Sequence, residues 1–83
     1  MRYDAELRVK NLDKADFANS NVEVYHPDSR NLLLLEDVLT RDHIDFKFKY
    51  ADKECQEDRI VFKRISWPTL NFYLYLSGLL DIS

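Results

Sequence analysis

Pro27-Asp28-Ser29-Arg30-Asn31-Leu32-Leu33-Leu34-Leu35-Glu36-Asp37-Val38-Leu39-Thr40-Arg41-Asp42-His43-Ile44-Asp45-Phe46-Lys47-Phe48-Lys49-Tyr50 holds the change of hydrophobic period that decides the fold class. With residues set about 100° apart, Leu32, Leu34, Leu35, Val38 and Leu39 share one arc, while Glu36, Asp37, Thr40 and Arg41 face away and Leu33 lies off it. That is a helix buried along one side. Asp28 or Ser29 can cap its free first-turn amides, and His43 stands at the negative end of its dipole. From Asp45 the period drops to two: Phe46, Phe48 and Tyr50 share a face, and Asp45, Lys47 and Lys49 the other. This is a half-buried strand.

On the N-terminal side, Tyr3 to Lys10 alternates, with Ala5, Leu7 and Val9 opposite Glu6, Arg8 and Lys10. It reads as one strand. Residues 11–21 are polar and turn-forming, with Phe17 folded back as a plug. Val22 to His26 is a second strand with Val22 and Val24 inward. On the C-terminal side, Ala51 to Asp58 is a charged turn carrying Cys55. Arg59 to Ser66 is a fourth strand in which Ile60 and Phe62 compete with Val61 and Ile65 for the core face. A closing helix starts near Trp67-Pro68, proline being tolerated in a first turn.

The order is β-β-α-β-β-α, one α+β domain with an antiparallel four-stranded sheet and two helices on one face. Strands two to four with both helices give β-α-β-β-α, most of a ferredoxin-like domain. The N-terminal strand can supply the missing one, which makes a permuted ferredoxin-like sheet. Val22-Glu23-Val24-Tyr25, the Leu-rich helix and Asp42-His43-Ile44-Asp45-Phe46 resemble the opening β-α-β of glutaredoxins and of PII-like regulatory domains. The chemistry of neither is present. No Cys lies near Pro27-Asp28-Ser29, and there is no glycine-rich phosphate loop.

At 83 residues the chain makes one small domain, and 46% hydrophobic content is enough for a core. A net charge of −3 is far from a strongly basic DNA-binding domain or a strongly acidic nucleic-acid mimic. Cys55 is the only cysteine, so an internal disulfide is excluded and a cytoplasmic setting is expected. No apolar signal core follows Met1-Arg2-Tyr3-Asp4, and no apolar run is long enough to span a membrane.

Catalytic, metal and cofactor motifs are absent, so no enzyme activity, cofactor or small-molecule substrate is expected. His26 and His43 are the only imidazoles, one at a strand end and one at a helix end; both read as surface residues. A small ribonuclease using either is the weakest functional reading. Cys55 with Glu54, Glu57 and Asp58 reads as a solvated turn, because nothing fixes a metal geometry there.

Two surfaces carry the remaining signal. Arg8, Lys10, Lys47 and Lys49 point away from the helices with Tyr25 among them and Lys63 or Arg64 beside them, an arrangement suited to single-stranded RNA: charge for phosphate, a ring for stacking. Glu6, Glu23 and Asp45 on the same face offer salt bridges instead. The closing helix is apolar on more than one side. Phe72, Tyr75, Leu76, Leu79 and Leu80 form its expected core face; Leu70, Leu74 and Gly78 form a second ridge where another helix could approach closely. With Leu33 and Trp67, that ridge exceeds the usual scatter of exposed apolar residues. The expected function is therefore non-catalytic protein binding by a small regulator or inhibitor, as a homodimer, of the kind common among phage-encoded inhibitors of host proteins. RNA binding by the basic sheet face is the alternative.

Overall fold

The computed structural model describes residues 1–11 and 21–82. In chain order the elements are β1 (Arg2–Tyr3), β2 (Arg8–Lys10), β3 (Val22–Tyr25), α1 (Ser29–Arg41), β4 (Lys47–Lys49), β5 (Arg59–Phe62), α2 (Trp67–Leu76) and β6 (Leu80–Asp81). The reading of Phe17 as a plug lies outside the described residues. Strands β2, β3, β5 and β4 form a sheet in that order, each neighbour antiparallel, and β1 pairs separately with β6.

The N-terminal alternation proves to be two strands. Asp4 breaks it: its Oδ1 accepts the Glu6 amide at 2.8 Å and its carbonyl accepts the Leu7 amide at 3.2 Å. An aspartate that satisfies its own downstream amides makes a turn. Ala5 is consequently exposed, while Leu7 and Val9 pack half-buried against the core.

Helix α1 begins at Asp28, whose side chain accepts the Arg30 amide. It ends in a left-handed residue, His43 (φ 56°), whose amide donates to the Thr40 carbonyl while that of Ile44 donates to Leu39. His43 thus terminates the helix from outside it. The apolar arc is narrower than its sequence suggests. Leu32, Leu35 and Leu39 are buried, Val38 is half-buried, and Leu34 faces solvent with Leu33.

In the sheet, Val9, Val24, Ile60 and Phe48 stand directly opposite one another across the four strands, as do Val22 and Phe62. Opposed residues share a face. Val22, Val24, Ile60 and Phe62 join the α1 leucines, Leu70 and Leu74 in one buried cluster. This resolves β5: Ile60 and Phe62 take the core, Val61 takes the other face, and Ile65 is buried beyond the strand's end.

Helix α2 is turned relative to its sequence reading. Leu70 and Leu74 are both 0% exposed, and Tyr73 is buried with them. The expected core residues Phe72, Tyr75 and Leu76 are 53%, 47% and 37% exposed. The helix is also shorter, because Gly78 (φ 82°) stops it: its amide donates to the Tyr75 carbonyl and that of Leu79 to Leu74. This is a Schellman end, for which glycine has no steric cost. Leu79 and Leu80 are therefore buried from the chain beyond the helix, and Gly78 is a stop signal where the sequence suggested a close-approach site. The Tyr73 hydroxyl donates to Asp42 Oδ2 at 2.8 Å, fastening α2 to the end of α1.

Candidate functional site

The strongest polar cluster centres on His26, which is buried, contrary to its reading as a surface residue. The Asp28 amide donates to Nδ1 at 3.0 Å, so in the uncharged ring Nε2 carries the proton and donates it to Asp4 Oδ1 at 2.9 Å. The Asn31 side chain stands 3.3 Å from the same Nε2. Both ring nitrogens are thus engaged in joining the β1–β2 turn, the end of β3 and the start of α1. The Glu6 amide and the His26 ring together hold the Asp4 carboxyl below the usual carboxylate range. A depressed carboxylate contributes stability that is complete above its unfolded value of 3.8 and is lost as pH falls through the lower folded value. Asp4→Asn should therefore flatten the fall in thermal stability below about pH 4. Parallel curves for the two proteins, followed by circular dichroism between about pH 2 and pH 7, would exclude Asp4 from the acid response.

The outward sheet face is assembled by register. Arg8, Tyr25, Arg59 and Lys49 form one row across the four strands, and Lys10, Glu23, Val61 and Lys47 form the next. All five residues expected from the sequence to form a basic aromatic face lie on it, joined by Arg59, whose strand parity the sequence left open.

Tyr25, however, is only 3% exposed. Arg8 and Lys10 lie over its ring, 5.1 and 4.8 Å from the centroid. Its hydroxyl donates to Glu23 Oε1, and burial, reinforced by that carboxylate, pushes it up to about 12. The 51–58 loop closes over this row. Arg8 pairs with Glu57, Arg59 Nη1 donates to the Tyr50 and Glu57 carbonyls, and Cys55 lies within reach of the Tyr25 hydroxyl. A covered ring offers no surface for base stacking. Among the described residues no group of three or more His, Cys, Asp or Glu side chains could hold a metal ion.

An open groove of about 180 Å³ lies at the β4 side of the sheet, lined by the apolar Phe46 and Val61 and by Asn21, Asp45, Lys47, Lys49 and Lys63.

The residues expected to make the apolar ridge separate in the fold. Leu33 is exposed on α1, and Trp67 is half-buried and stacked on Tyr3 at 5.9 Å between ring centroids. Leu70 and Leu74 are core, and Gly78 ends the helix. The exposed apolar residues of α2 are instead Phe72, Tyr75 and Leu76, which with the exposed Pro68 fall on one side of the helix. No charged residue occurs anywhere in Trp67–Leu76. The stop at Gly78 was the signal that could have located this side. It takes Leu79 and Leu80 off the helix, and the competing face loses two of its five members.

No helix among the described residues is long and apolar enough to cross a membrane. No protein-family model, curated protein or solved structure matches the chain.

Proposed function

We propose that this chain is a non-catalytic protein-binding module, a small regulator or inhibitor that occupies a partner's surface and pairs with a second copy through the outward side of α2. The observation that carries the proposal is the exposure of Phe72, Tyr75 and Leu76 on a helix without a charged residue. Aromatic enrichment and loss of charge mark the centres of protein interfaces. A second copy suits this side because a twofold contact sets a patch against itself. An uncharged patch brings no like charges together when it does so.

The magnitudes favour a reversible pair. Half-exposed aromatic side chains offer on the order of 100 Å² each, so two copies hide roughly 500 Å² of apolar surface. At about 25 cal/mol per Å² this gives about 12 kcal/mol, against about 4–15 kcal/mol of lost translational and rotational freedom. Such a dimer can exchange its second copy for a larger partner. The same reading takes the sheet as a permuted ferredoxin-like one with both helices on the face of Val24 and Ile60. The antiparallel order β2-β3-β5-β4 supports it, with β2 in the place of that fold's last strand.

In sedimentation velocity, the wild type should shift toward dimer mass as concentration rises through the micromolar range. Phe72→Glu and Leu76→Glu should stay monomeric with an unchanged circular dichroism spectrum. A wild type that remains monomeric throughout, or variants that associate equally well, would sink the proposal.

A further inference from the structure

We infer that the groove bordered by Lys47, Lys49 and Lys63 is a second binding site, one that takes the phosphate backbone of a single-stranded nucleic acid. This edge of the sheet carries an electrostatic cost. Lys49 stands directly opposite Arg59 in the sheet, and like charges in that relation are destabilising. Arg59 is occupied by the Tyr50 and Glu57 carbonyls. None of Lys47, Lys49 and Lys63 enters an ion pair among the described residues. Three lysines therefore border one open groove in a chain whose net charge is −3. An anionic occupant would relieve this concentration of charge.

The shape of the groove selects the occupant. Lys47 and Lys49 are two residues apart on an edge strand, about 6.6 Å along its axis, so they present a ladder of point charges to an extended polyanion. The Asn21 side chain adds a neutral polar group, and Asp45 is the one opposing charge on the border. An open groove of about 180 Å³ leaves room for the phosphate groups of such a polyanion.

The site is bounded by the chain itself. Carboxylates of the 51–58 loop, with Glu57 paired to Arg8 and Asp52 interacting with both Arg59 and Lys49, screen the Arg8-Tyr25-Arg59 end of the sheet from phosphate and partly offset Lys49. Contact is consequently through the backbone, without stacking on Tyr25, and without preference for sequence.

The test is fluorescence anisotropy with a labelled oligouridylate in low salt, repeated as salt is raised. The wild type should bind, with affinity falling steeply with salt. The Lys47→Gln/Lys49→Gln/Lys63→Gln triple variant should bind at least about tenfold more weakly, with the log–log salt slope reduced by about 0.7 for each lysine that meets a phosphate. Replacing the same three lysines by Arg should preserve binding, while Lys10→Gln, at the opposite edge, should change affinity by less than about twofold. No binding in low salt would overturn the inference, as would equal binding by the Gln triple variant. Polyglutamate binding as tightly as the oligonucleotide would also overturn it, in favour of an acidic protein segment.

Discussion

Leu74→Ala is expected to cost about 2–5 kcal/mol of folding stability, the range for truncating a fully buried leucine. Leu74 has no exposed surface and belongs to the buried cluster that contains the α1 leucines and the inward sheet residues. Its removal leaves a cavity where α2 meets the rest of the core. At roughly 4–8 °C per kcal/mol for a chain of this size, thermal unfolding should fall by about 10 °C or more. Phe72→Ala, two residues earlier, removes a larger side chain from the exposed side and should change stability by less than about 0.5 kcal/mol. The pair reads out the rotation of α2 directly. If Phe72→Ala proved the more damaging in a thermal or urea melt, the helix would be turned the other way. The docking surface assigned to Phe72, Tyr75 and Leu76 would then be lost with it.

Phe62→Ala should be at least as severe, at about 3–5 kcal/mol. Phe62 lies fully buried on β5, directly opposite Val22, which is equally buried. Strand β5 is an inner strand of the sheet, bonded to β3 on one side and β4 on the other. A cavity there touches both neighbours and cannot close by shifting one edge. Out of a total stability of about 5–15 kcal/mol for a small domain, such a loss leaves little margin. Val61→Ala, adjacent but on the outward face, should cost much less, because half-buried Val61 lies outside the core cluster. Equilibrium urea unfolding compares the two. Similar midpoints would contradict the assignment of Ile60 and Phe62 to the core.

Periodicity made β4 and α1 legible, because each alternates or winds against a clear polar side. Asp28 and Pro68 are start signals written in single residues, and Asp28 accepts the Arg30 amide; Ser66, which reads as the end of the fourth strand, proves to cap α2 by accepting the Thr69 amide. Two local misreadings had local causes. Asp4 turns the chain by capturing the Glu6 amide, which hydrophobic alternation cannot register. Gly78 was legible as a stop, but its small size suggested packing first.

The candidate surfaces were legible in part. Lys47 and Lys49 were visible as an outward pair, whereas Arg59 joins them through pairing across β5 and Lys63 borders the same groove just beyond that strand's end. Burial of Tyr25 depends on the 51–58 loop folding onto it, through contacts between residues far apart in the chain, such as Arg8 and Glu57.

What the amino-acid sequence determined by itself was the kind of each main element and the excess of apolar residues on its last helix. Periods and caps are local, and local patterns suffice for them. Which side of α2 faces water was decided only in the tertiary structure. Trp67–Leu76 carries apolar residues on every side and no charge, with only Thr69 and Asn71 polar among its non-aromatic residues, so no side of it has a strong intrinsic claim on the core. The choice fell to its surroundings: the Tyr73–Asp42 bond to the end of α1, the Tyr3–Asn71 bond of 2.7 Å, and the cavity that Leu70 and Leu74 fill. A helix without a charged side is oriented by its neighbours, and the apolar side they leave uncovered is the one available to another molecule.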